Sequence, residues 1–266
     1  MSNMVREHGE IIDRDTRALI SKRYRTVTKV INRDFWNSTS ETLHSLYVGS
    51  YGRNTAINTS DIDILIELPN SLFDHYNNLS GNTQSKLLQS VRNAILNTYP
   101  RSDVRADGQV VKIHFSDSMY FEIVPAFKRQ DGSYMYPDSN MGGHWNSTNP
   151  KAEQDAMAKK NRESNGLLYD TCRHIRYIRD TFFSSYHLSG IVVDSFVYAA
   201  IGNWQWLNNG ETSSYPSGTY EEVLLRYYEC HDICSGYDIV APGSNDIVST
   251  SSSYECLKKV LYTMVQ

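Results

Sequence analysis

The sequence predicts an α+β protein: a mixed sheet with flanking helices, backed by a long N-terminal helix and followed by an all-helical lobe. Three observations carry this. Apolar residues recur near helical spacing over 10–36, fall into short β-branched runs over 44–126, and return to helical spacing beyond Pro150. In the first stretch, Ile12, Leu19, Ile20, Val27, Ile31 and Phe35 are separated by Arg, Lys and Asp, which makes one long amphipathic helix. Four strands follow at 46–48, 62–66, 110–115 and 120–124. Between the second and third, residues 85–96 read as a helix carrying Leu87, Leu88, Val91 and Ile95. Residues 128–149, rich in Gly, Asp, Ser, Asn, Tyr and Pro, read as a loop or ordered linker. It ends at Asn149-Pro150, where proline suits the first position of a helix. The domains are therefore expected to be 1–149 and 150–266. The second half reads as helices at 150–164, 166–183, 190–207, 219–234 and 252–265, with Leu168, Cys172, Ile175, Ile178 and Phe182 as one apolar stripe.

Composition narrows the function. At 266 residues the chain is long enough to bury a sizeable core, and 26 Lys+Arg against 30 Asp+Glu leave a net charge of −4. A net acidic surface argues against dedicated duplex nucleic-acid binding. The longest run without a charged or strongly polar residue is 196–202, too short for a membrane span, and the charged first 17 residues lack a signal-peptide core. A cytoplasmic location is expected. The four cysteines are too few for a secreted disulfide framework, and Cys230 and Cys234 are expected to be a buried pair of reduced thiols rather than zinc ligands.

The chemistry concentrates in one segment, GSYGRNTAINTSDIDILIELP, at 49–69. Gly49-Ser50 follows a strand and opens a turn, so that backbone N–H groups and the Ser50 hydroxyl can point at phosphate oxygens with no Cβ in the way. Asp61 and Asp63 stand two apart on a strand, which projects both carboxylates from one face. Two hard oxygen ligands on one rigid edge suit Mg²⁺. Glu122 interrupts the apolar strand Tyr120-Phe121-Glu122-Ile123-Val124, where an unpaired carboxylate would be costly and a shared metal would offset that cost. Asp61, Asp63 and Glu122 are the expected metal ligands and catalytic carboxylates.

Gly-Ser followed by Asp-x-Asp and a downstream carboxylate resembles the polymerase-β-like nucleotidyltransferases. Adding YFEIVPAFK, TNP at 148–150 and NRESNGLLYDTCRHIRYIRD at 161–180, the chain is similar to the bacterial cGAS/DncV-like nucleotidyltransferases, or CD-NTases. Arg176 stands where that family usually has Lys, and Glu122 where many relatives have Asp. The resemblance implies a catalytic core at 1–149, an OAS/cGAS-like helical lobe at 150–266, and an active site between them. It implies two Mg²⁺ ions, or Mn²⁺, NTP substrates, and a template-independent synthesis of a cyclic di- or oligonucleotide. A separate effector protein would sense that product in anti-phage CBASS signalling. The alternative is transfer of a single nucleotide to a small molecule, a protein or an RNA end. Arg173, Arg176 and Arg179 recur every third residue on the spine helix within one broad face that can meet the triphosphate, with Arg176 the expected clamp, although Arg173 and Arg179 could equally be a solvated face. Asn161 and Asn165 are expected to read a base edge, which leans towards pyrimidines or adenine over guanine, although Asn165-Gly166 could equally end one helix and start the next.

Overall fold

The computed structural model describes residues 3–9, 11–57 and 61–266, with Cys234 described by its backbone alone. The Asn58-Thr59-Ser60 part of the candidate motif lies outside them. The chain divides into two compact units: one holds the described residues of Met1–Ile11, Arg53–Ile57 and Lys151–Gln266, the other those of Ile12–Gly52 and Asn58–Pro150. Residues 3–9, 11 and 53–57 thus belong with the helical unit.

The sheet unit begins with α1 (Arg14–Trp36), whose N-cap Asp13 accepts the Thr16 N–H at 2.9 Å and whose C-cap Asn37 takes a left-handed conformation. Its strands are β1 (Ser45–Tyr47), β2 (Asp61–Glu67), β3 (Asp103–Asp107), β4 (Val110–His114), β5 (Tyr120–Lys128), β6 (Tyr134–Asp138) and β7 (His144–Thr148). They form one sheet of order β1-β2-β5-β4-β3, from which β6 continues off β5 and β7 off β6. Among the described residues, only β2 and β5 run parallel, and the other pairings in this sheet are antiparallel. Helices α2 (Gly49–Gly52), α3 (Asn70–Asn77) and α4 (Thr83–Thr98) complete the unit. Alternation sorts the sheet into two faces. Ile62, Ile64, Val111, Ile113, Phe121 and Ile123 are fully buried in the cluster that also holds Ile20, Val27 and Ile31 of α1 and Leu87, Leu88, Val91 and Ile95 of α4. Residues 128–149 are therefore no linker: they build the β6–β7 hairpin, whose register runs from Tyr134 opposite Thr148 to Asp138 opposite His144.

The helical unit contains α5 (Pro150–Glu163), α6 (Leu167–Phe182), α7 (Gly190–Ala200), α8 (Thr219–Cys230) and α9 (Tyr254–Met264), with a two-stranded β8 (Ile239–Val240) and β9 (Ile247–Val248). Its core takes Leu168, Cys172, Ile175 and Ile178 from α6, Val193, Phe196 and Val197 from α7, and Leu257, Val260 and Leu261 from α9. Three expectations need correction. Phe182 is 59% exposed and lies outside the stripe, because α6 ends there. Helix α7 stops at Ala200, short of 207, before Gly202 turns at φ +54°. Cys230 is exposed at the end of α8, so it is not half of a buried thiol pair; the Cys234 side chain lies outside the described residues. Among the described residues no helix is long and apolar enough to cross a membrane.

Candidate active site

Register assembles the polar side of the sheet. Asp61 is paired with Tyr120 and Asp63 with Glu122 across the parallel β2–β5 ladder, while Lys112 and His114 of β4 face Glu122 and Tyr120 from the other side. Paired residues project from the same face, so Asp61, Asp63, Glu122 and Lys112 share the side opposite the buried isoleucines. The turn after β1 closes on this row. The Val48 N–H donates to the Asp63 carbonyl at 2.9 Å, and the Gly52 N–H returns to the Val48 carbonyl at 2.9 Å, forming the single turn of α2 that carries Ser50. Gly49 sits at φ +60°, and a Cβ there would overlap the Asp63 carboxylate, its Cγ only 2.7 Å away. Glycine is needed at 49 on both counts, conformation and space.

Glu122 differs from its sequence reading. It stands on the open face, and its partner is a cation: Lys112 Nζ lies 3.3 Å from Glu122 Oε1 and 2.9 Å from Asp107 Oδ2. The hydrogen bond that Lys112 donates to Asp107 and the pull of Glu122 hold its ammonium above its usual range. The burial cost that pointed to a shared metal therefore does not arise. Nor, among the described residues, are any three His, Cys, Asp or Glu side chains gathered into a group able to hold a metal ion. The donor chemistry still fits a hard divalent cation at Asp61 and Asp63, two carboxylates on one face of one strand, with the Cβ-free Gly49 leaving the Asp63 carboxylate its space. Sequence reasoning missed Lys112, although the alternation in Val110-Val111-Lys112-Ile113-His114 already separated its polar from its apolar face.

The other expected contacts are placed differently. Asn161 Oδ1 accepts the Tyr169 N–H at 3.0 Å and Ser164 Oγ accepts the Leu168 N–H at 3.1 Å, so both side chains cap the start of α6. Asn165 holds the connection at φ +52°, and its Nδ2 donates to the Trp206 carbonyl at 2.8 Å. The segment thus ends α5 and begins α6, and the lean against guanine loses its basis. The arginines are no open row. Arg173 Nη2 donates to the Asn54 carbonyl at 3.0 Å, and Arg179 Nη1 to Asp180 Oδ1 at 2.6 Å. Arg176 Nη1 lies 2.8 Å from Asp194 Oδ1, and its Nη2 donates to the Gly190 carbonyl at 2.9 Å. The charge expected to clamp a triphosphate is matched inside the helical unit.

A family profile described as the Second Messenger Oligonucleotide or Dinucleotide Synthetase (SMODS) domain matches residues 10–161, more than half of the chain. The chain belongs to the SMODS family. It is a bacterial CD-NTase and a nucleotidyltransferase. Solved structures agree on the fold of this SMODS protein. The cyclic dinucleotide synthase CdnE of Elizabethkingia meningoseptica, solved with GTP and Apcpp, superposes with a TM-score of 0.62 at 16% identity, covering 91% of this chain and 89% of its own. The c-UMP-AMP synthase CdnE of Rhodothermus marinus, with Apcpp and Upnpp, gives 0.61 at 14% identity, covering 91% and 88%. CdnC of E. coli MS115-1, in a complex with HORMA-deltaN, gives 0.60 at 12% identity, covering 94% and 84%. No curated protein matches the chain significantly.

Proposed function

We propose that this SMODS protein joins NTPs, without a template, into a cyclic di- or oligonucleotide second messenger that a separate effector reads in anti-phage CBASS signalling. The single observation that carries the chemistry is the row of Asp61, Asp63 and Glu122 on one face of β2 and β5, with Gly49 closed against Asp63. The 3′- or 2′-hydroxyl of one nucleotide attacks the α-phosphorus of another; a P–O bond forms, and the bond to the departing pyrophosphate breaks. Repetition within the linear product closes the ring, and each bond formed releases one pyrophosphate. Asp61 and Asp63 would hold Mg²⁺ or Mn²⁺, which when bound supplies charge neutralisation on the triphosphate. Glu122 accepts the proton of the attacking hydroxyl, and Lys112, at 3.3 Å, orients it. Gly49 and Ser50 receive the phosphates on backbone N–H groups and a hydroxyl. The NTPs and analogues bound by the CdnE relatives support the substrate class.

The test is incubation of the purified chain with each radiolabelled NTP, alone and in pairs, and Mg²⁺, followed by phosphatase and chromatography. A phosphatase-resistant product that disappears in Asp61→Asn and Asp63→Asn, both folded, is expected. Near-wild-type activity in either variant would sink the site, and one nucleotide attached to another acceptor would establish the alternative reaction.

A further inference from the structure

The motif segment between Gly52 and Asp61 contains a part the proposed chemistry does not use. Residues 53–57 cluster with the helical unit, and three consecutive residues there are tied to its helices. Arg53 Nε donates to Asp194 Oδ2 at 2.8 Å, and its Nη1 to Glu153 Oε2 at 3.0 Å. Arg173 Nη2 donates to the Asn54 carbonyl at 3.0 Å, and Thr55 Oγ1 to Asp194 Oδ2 at 3.0 Å. Arg176 completes the set: its Nη1 stands 2.8 Å from Asp194 Oδ1, a charge contact without hydrogen-bond alignment.

Thr55 and Asp194 are wholly inaccessible to solvent, and Arg53 and Glu153 nearly so. Burial alone would raise the Asp194 carboxyl, but Arg176 and Arg53 outweigh it and hold it below the usual range. Burial pushes Glu153 up against the pull of Arg53. Two guanidinium and two carboxylate groups therefore meet where a well-packed apolar cluster would be at least as stable. What charges add over apolar packing is directional: the guanidinium fork and the shared Oδ2 accept only one placement of residues 53–55.

We infer that Asp194 is a positioning residue for the nucleotidyl-transfer site, holding Arg53 and Thr55 and so fixing the path of the chain as it leaves Gly49-Ser50. This rests on the function proposed above. It also gives Arg173 and Arg176 a role: both secure the same segment, one through a carbonyl and one through the shared acid.

Asp194→Asn removes a buried charge between two arginines and risks unfolding, so Thr55→Val and Thr55→Ser are the decisive variants. Hydrogen exchange of the apo protein and NTP turnover well below the melting temperature are measured side by side. Thr55→Val is expected to speed exchange in 53–57 more than about tenfold, leaving α6 and α7 within about twofold. It should lower kcat about tenfold, with KM changed less than about threefold, and Thr55→Ser should restore both. Unchanged exchange at 53–57, faster exchange with unchanged kcat, or a uniform loss of protection through α6 and α7 that Thr55→Ser fails to restore would each overturn it. Absence of NTP transfer in the wild type would count against the proposed function instead. The exchange arm then decides by itself whether Asp194 holds the segment: faster exchange confined to 53–57 supports the anchor, and unchanged exchange overturns it.

Discussion

Gly49→Ala should separate conformational cost from chemical consequence. At φ +60° an alanine is in the left-handed region, which costs about 1–2 kcal/mol. The new Cβ would overlap the Asp63 carboxylate, so Asp63 must leave its rotamer, adding roughly 0.5–1.5 kcal/mol. The sum, about 1.5–3.5 kcal/mol, corresponds to a melting temperature lowered by roughly 3–14 °C in a unit of this size. The larger effect is on catalysis, because a displacement of about 1 Å in a reacting group can cost around 10²-fold in rate. Gly81→Ala is the control: its φ is +79°, and a Cβ there meets nothing within 4 Å. It should carry the conformational cost and leave turnover intact. The assay is turnover of radiolabelled NTP per folded molecule well below both melting temperatures, alongside thermal melting. Full turnover in Gly49→Ala, or an equal loss in Gly81→Ala, would refute the claim that Gly49 exists to give Asp63 its place.

Three further outcomes follow from contacts in the helical unit. Asn161→Ala should cost about 1 kcal/mol, as the loss of a cap does, and leave the relative turnover of the four NTPs unchanged; a shift in base preference would restore the base-reading role. Arg176→Ala strands the buried Asp194 with Arg53 and should cost about 3–5 kcal/mol in urea unfolding, while Arg176→Lys, which keeps the charge, should lose less. His8 is lowered from 6.5 to about 4 by burial, helped by neighbouring His174 and Arg6. The unfolded chain therefore takes up the proton first, and the stability this histidine contributes is present above pH 6.5 and lost as pH falls towards 4. Half exposure reduces that contribution to roughly 1–2 kcal/mol, so urea midpoints between pH 7.5 and 4.5 should fall less steeply in His8→Gln than in the wild type.

What the sequence reveals and hides divides along physical lines. Strands β2, β4 and β5 are legible because each opens on an alternation of buried apolar residues with less buried ones, and that alternation places Asp61 and Asp63 on one face. Strand β3, Asp-Val-Arg-Ala-Asp, is not, since only Val104 is buried. The β6–β7 hairpin hides behind Gly, Asn and Pro, residues that mark turns when nothing else is known. Glu122 is found by pattern, but its partner Lys112 requires the β4–β5 register, which is set by the turn at 115–119 and not by the apolar code of either strand. The asparagines at 161 and 165 are visible as a motif, yet a motif cannot distinguish an amide that meets a ligand from one that caps the next helix, as Asn161 does, or that holds a neighbouring loop, as Asn165 does.

The arginines show the same limit, and a way past it. Spacing of three along α6 puts Arg173, Arg176 and Arg179 on one side of a helix but says nothing about what stands opposite. The partner announces itself elsewhere, in Gly-Ile-Val-Val-Asp-Ser-Phe-Val-Tyr-Ala-Ala, where Asp194 is the one charged residue of α7. A carboxylate in so apolar a helix is buried whichever way the helix faces, and a buried carboxylate must be met by cations or hydrogen-bond donors. Its surroundings then account for residues that catalysis leaves unexplained: Arg53 and Thr55 in the motif, and Arg176 on the spine. An isolated acid in an apolar helix thus identifies the function of distant basic residues more reliably than the spacing of the basic residues themselves.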